Sequence, residues 1–160
     1  MHNTRQSLPR LFADARRWFE EGLAAAMEAA GAQPVSPAQT HLFAVLDEDG
    51  ATVSELARRM GVTRQTAHQA VHALAAAGLL TQVPDPSSAR RRLILRTAEG
   101  ERAHRQATAI LERLEEELAR RLGRHNVDAL RTALEAPWAE PSLSADVTGA
   151  TASEDDGTAH

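Results

Sequence analysis

The stretch TVSELARRMGVTRQTAHQAVHALAAAG, residues 52–78, constrains this chain more than any other. Thr52 and Glu55 have the spacing of a capping box, which opens a short helix, ELARRM. Gly61 ends it, at a turn where positive φ is needed. Thr63 then caps a second helix, which Gly78 stops. A helix as short as ELARRM is not stable alone, so it must be held by packing. Leu56, Ala57 and Met60 supply its apolar face. Val62, Ala67, Ala70, Val71 and Leu74, three and four residues apart, supply a matching stripe on the second helix. Two such helices across a tight turn cross steeply, as in a helix-turn-helix.

The other face of the second helix carries Arg64, Gln65, His68, Gln69 and His72, and no acid. A merely solvated helix is more usually dressed in Glu and Lys at salt-bridge spacing. Arginine can pair bidentately with guanine and glutamine with adenine in a major groove. The Thr63 and Thr66 hydroxyls and the helix N-terminus suit phosphate oxygens. A plain solvated face explains this helix alone about as well; the residues C-terminal to it shift the balance. Leu79 to Val83 and Arg91 to Leu95 read as two short strands, joined by a loop of turn formers from Pro84 to Arg90. Arg90, Arg91 and Arg92 then lie at a hairpin, where arginine can enter a narrow minor groove. Charge agrees. Between Thr52 and Thr97 there are seven arginines against Glu55 and Asp85, although the whole chain carries −4. A basic middle in a near-neutral body points to a local anionic partner.

Around this unit lie longer helices. Leu8, Leu11, Phe12, Ala15, Phe19, Leu23, Met27 and Ala30 predict a first helix over about 8–30. Ser36-Pro37-Ala38-Gln39 opens a second, which runs through Leu42, Phe43 and Leu46 to the turn at Asp49-Gly50. Thr97 caps a helix over about 98–122, and a last helix is expected over about 127–134. The apolar stripes of the terminal helices exceed what one small winged-helix unit can cover, which predicts a homodimer. The expected fold is mainly α: a winged helix-turn-helix over about 52–97 with a two-stranded wing, and a helical dimerisation part built from the N- and C-terminal helices. Residues 1–136 form this body. Residues 137–160 hold five acids and no arginine and are expected to be a disordered tail.

The pattern TVSELARRMGV, the Gly78-Leu79-Leu80 exit, the Asp85-Pro86 wing tip with Arg90, and Thr97-Ala98-Glu99-Gly100 resemble the multiple-antibiotic-resistance regulator (MarR) family over about residues 8–136. The resemblance implies a homodimeric transcriptional regulator, usually a repressor, that binds a pseudo-palindromic operator in double-stranded DNA. It implies release by a small, often phenolic or aromatic, effector bound between the dimerising and DNA-binding parts. Carried to this chain, the DNA-contacting residues are Thr63, Arg64, Gln65, Thr66, His68, Gln69, Arg90, Arg91 and Arg92. Two departures stand out. The family's wing usually reads Asp-Pro, one residue, then Asp-Arg-Arg, where this chain has Ser88 and Ala89 in place of the second Asp and first Arg. The common Leu before Thr97 is Arg96.

Trp18 and His41 are the residues considered for effector binding, although core or dimer packing is the commoner fate of such a tryptophan. His68 and His72 have a metal-ligand spacing without a third ligand. His41 and His104 leave a zinc-responsive regulator as a minor alternative, beside a winged-helix protein-interaction module that does not bind DNA. No metal site and no cofactor is expected. There is no cysteine, which excludes thiolate chemistry, and no nucleophile–base pairing or phosphate-cradling loop suggests an enzyme. The first residues lack a signal peptide's apolar core and no run is long enough to span a bilayer, so a cytoplasmic protein without membrane contact is expected.

Overall fold

The computed structural model describes residues 5–139 and 141. Six helices and one hairpin are arranged in the order α1 (Leu8–Ala29), α2 (Pro37–Val45), α3 (Val53–Met60), α4 (Arg64–Ala76), β1 (Leu80–Asp85), β2 (Ser88–Arg96), α5 (Ala98–Leu122) and α6 (Arg124–Glu135). Both capping boxes form: Ser36 with Gln39, and Thr52 with Glu55. Gly61 is left-handed at φ 65°, which lets α3 stop and α4 begin within a few residues. Thr63 Oγ1 accepts the Thr66 amide at 3.1 Å.

The principal core lies inside the helix-turn-helix. Leu42 and Leu46 from the α2 end, Leu56, Ala57 and Met60 from α3, Ala67, Ala70, Val71 and Leu74 from α4, and Leu80 and Ile94 from the hairpin form one buried cluster with Ala51. The apolar stripes read from sequence therefore do meet. The long helices are covered differently. α1 packs on α5, with Gly22 against Leu114, yet Leu8, Leu11, Phe12, Leu122, Leu130 and Leu134 remain 40% to 65% exposed.

The hairpin corrects the sequence reading. Its strands reach further than expected, and the loop shrinks from Pro84–Arg90 to Pro86 and Ser87. The cause is local: Asp85 Oδ1 accepts both the Ser87 amide at 2.8 Å and the Ser87 hydroxyl at 2.7 Å, which closes a tight Asx turn. Register runs regularly from Leu80↔Arg96 to Pro84↔Arg92 and then jumps to Asp85↔Ser88. The jump leaves Ala89, Arg90 and Arg91 as an irregularity in β2. A second addition is a bridge between Ala51 and Ile94, which exchange both backbone hydrogen bonds at 2.8 and 3.2 Å. Gly50 precedes it at φ 84°, where a Cβ would lie 2.7 Å from the Ile94 carbonyl. α6 begins at Arg124, three residues before the expected start, because the Gly123 carbonyl accepts the Asn126 and Val127 amides. Of the expected disordered tail, residues 140 and 142–160 lie outside the described residues.

Candidate nucleic-acid interface and effector cleft

α4 is gripped on one face and free on the other. Ala67, Ala70, Val71 and Leu74 are buried, while Arg64, Gln65, His68, Gln69 and His72 are exposed. Helix N-termini favour acids, because the unpaired amides and the dipole leave partial positive charge there. α3 and α5 follow this rule with Glu55, and with Glu99 and Glu101. α4 places Arg64 in its first turn and no acid. Its N-terminus therefore gathers positive charge that the fold does not neutralise. Thr63 and Thr66 stand at that end, their hydroxyl oxygens 2.9 Å apart. Arg90, Arg91 and Arg92 are exposed on β2. Within the described residues none of these three, nor Arg64, forms an ion pair, whereas many other arginines of the chain do.

An open cleft of about 1080 Å³ separates α1 from the winged-helix unit, bounded by α2, the end of α4 and α5. Leu23, Met27, Phe43, Ala103, Ala107 and Leu111 give it apolar walls, with Arg17, Arg102 and His104 among its polar groups. His104 lies nearly parallel to Phe43, 6.4 Å between centroids at 23°. Desolvation holds the His104 imidazole below its ordinary value of 6.5, and the Arg96 guanidinium acts in the same direction. Because the folded value is depressed, the unfolded chain binds this proton more readily. The stability His104 contributes is complete above 6.5 and is lost as pH falls below it. His104→Gln should therefore show a smaller drop in unfolding free energy between about pH 7.5 and about pH 5.5 than the parent. Equal drops by urea denaturation would remove His104 from the cause.

Trp18 and His41 do not line this cleft. Trp18 packs edge-on against Phe19, 4.9 Å between centroids, with Arg121 of α5 over its ring at 5.9 Å. His41 is exposed on α2. Three of the cleft residues, Met27, Phe43 and His104, sit on three different helices, and the sequence reading did not bring them together. Each looks like ordinary stripe or surface when read on its own helix. Among the described residues no three His, Asp or Glu side chains gather as a metal site, and no helix is long and apolar enough to cross a membrane.

Comparison with known proteins agrees with this architecture. The MarR family model matches residues 33–91. The transcriptional repressor CouR bound to a 23-mer DNA duplex is 26% identical, with TM-score 0.69, over 84% of this chain and 94% of that one. CouR from Rhodococcus jostii RHA1 bound to p-coumaroyl-CoA is 18% identical, with TM-score 0.68, over 88% of this chain and 100% of that one. NadR in complex with 4-hydroxyphenylacetate is 19% identical, with TM-score 0.64, over 84% and 94%. No curated protein matches the chain. With the helix-turn-helix, the wing and the flanking helices in the same order, the chain is similar to the MarR family of winged helix-turn-helix regulators, whose model spans its helix-turn-helix and most of its wing.

Proposed function

We infer that this chain is a homodimeric repressor that lays α4 in the major groove of a pseudo-palindromic operator and is released by a small effector in the cleft. The observation that carries the reading is the exposed, acid-free face of α4 with Arg64 at its positive end. Arg64, Gln65, His68 and Gln69 are the groups for base edges, and Thr63 and Thr66 those for phosphate. Arg90, Arg91 and Arg92 act as charges on phosphate or in a minor groove. The exposed stripes of α1, α5 and α6 supply the dimer face. The cleft's apolar walls and nearby arginines suit an aromatic acid or its thioester. The p-coumaroyl-CoA and 4-hydroxyphenylacetate held by similar structures make that class the first to test.

Arg64→Ala and Gln69→Ala should each lose about 1–3 kcal/mol of discrimination between operator and mismatched duplexes. If both variants bind operator and random DNA like the parent, α4 does not read bases. Arg91→Ala and Arg92→Ala should behave differently. Each removes two phosphate contacts per dimer, so the slope of log K against log salt becomes shallower by about two units. Preference among operator variants should hardly change, because phosphate contacts carry no direct sequence information. An unchanged slope with lost discrimination would assign base reading to the wing instead.

A further inference from the structure

Arg96 ends β2, two residues after the core residue Ile94 and on the same side of the strand. Its side chain is only 3% exposed. Burying a guanidinium is costly, and a leucine in its place would pack without that cost, so stability alone is a poor reason for it. Its contacts suggest another. Nε donates to Glu101 Oε1 at 2.7 Å, in the first turn of α5, and Nη1 donates to the Leu46 carbonyl at 2.6 Å, at the end of α2. The preceding α2 carbonyl, that of Val45, is taken by Arg59 of α3 at 2.9 Å. The α2 terminus is thus held from both sides by arginines of the winged-helix unit.

The same joint has a second anchor. The Thr97 amide donates to the Leu79 carbonyl at 3.0 Å, and the Thr97 hydroxyl to the Gly78 carbonyl at 2.6 Å. Gly100 brings α5 so close to β1 that a Cβ there would lie 2.0 Å from the Leu79 oxygen. A pivot at Thr97 and Gly100 alone would let the winged-helix unit swing about it. Arg96 adds a bond across the joint to Glu101 of α5, while its bond to Leu46 seats the guanidinium on the α2 end of the winged-helix core. α2 and α5 are also two walls of the cleft.

We propose that Arg96 is the positioning residue that locks the winged-helix unit to α5, and thereby sets the separation at which a dimer presents its two α4 helices. The second half rests on the DNA-binding dimer inferred above; the lock itself does not. The depressed titration of Glu101, caused first by the hydrogen bond from Arg96, is consistent with a pair that stays charged.

The absence of native cysteine allows a direct test. Nitroxides are placed on Gln82→Cys in the wing and Arg113→Cys on α5, and the labelled protein is refolded with excess unlabelled chain so that only intramolecular distances are read. The width of the distance distribution should grow about twofold in Arg96→Leu, and less in Glu101→Gln, which keeps an acceptor oxygen for Arg96 but not its charge. In parallel, operators with half-sites moved closer or further by about two base pairs should bind the parent about tenfold or more weakly, and Arg96→Leu nearly as well as the original spacing. A merely destabilised fold would weaken binding at every spacing alike. Unchanged width in both variants overturns the lock. Greater width with full spacing selectivity overturns its role in register. If Arg96→Leu does not fold, Glu101→Gln decides by the same two readings. A parent that binds no DNA would overturn the function inferred above, and the distance measurement would still decide this one.

Discussion

Leu56→Ala is expected to lower the unfolding free energy by about 3–5 kcal/mol, the range for emptying a fully enclosed leucine site. Leu56 is 0% exposed and stands where α3, α4 and α2 meet. None of these three helices is longer than 13 residues, so none can keep its shape without the others. Small domains hold only about 5–15 kcal/mol in all, so the loss takes a large share of the total. Thr52→Ala, which removes only the α3 cap, is the scale bar and should cost about 1 kcal/mol. Denaturant unfolding followed by circular dichroism distinguishes them. A Leu56→Ala loss no greater than that of Thr52→Ala would mean that α3 is not seated on α4 as described.

The second large effect concerns assembly. Leu11 and Phe12 stand 43% and 40% exposed on α1, and Leu122, Leu130 and Leu134 are likewise uncovered on α5 and α6. Leu11→Glu with Phe12→Glu would place two carboxylates in the inferred dimer face, where desolvation opposes them. Sedimentation at micromolar protein should then show a monomer in place of a dimer. Operator affinity should fall by about 10²–10⁴-fold, because two half-sites bound by separate chains lose the gain of linkage. The two losses should appear together. A double variant that remains dimeric places the interface elsewhere, and a monomer with undiminished operator affinity removes the need for a dimer.

Every helix boundary but the start of α6 is legible to within a residue or two, because the signals are local. Ser36 with Gln39, Thr52 with Glu55, and Thr97 each place their own hydrogen-bond partner within three residues. The two faces of α4 are legible for the same reason, since a 3.6-residue period sorts Ala67, Ala70, Val71 and Leu74 from Arg64, His68 and Gln69. The resemblance to the MarR family is legible from the order and spacing of such signals. The role of Arg96 is not. It is visible as a departure from the family pattern, but its partner Leu46 is 50 residues away and contributes only a carbonyl, which every residue has. The wing tip misleads because turn formers spread over the whole of Pro84 to Arg90, and only the carboxylate of Asp85 decides which two make the turn. Trp18 illustrates a further limit: a stripe shows that a residue is on the flank of a helix, but not that Arg121 is what covers it.

The bridge between Ala51 and Ile94 closes a ring of chain that contains α3, α4 and nearly the entire hairpin. Its two hydrogen bonds cannot open while those elements stay folded around them, since both residues are buried at 1% and 0% exposure. Amide hydrogens of Ala51 and Ile94 should therefore exchange with solvent only when the whole ring unfolds, at rates that report its global stability. The amides of Arg90 and Arg91, in the irregular part of β2, should exchange far sooner through local opening. The hairpin is thus two materials in one element. Its outer end can adapt to the contour of a bound duplex, while its root is as slow to open as the core.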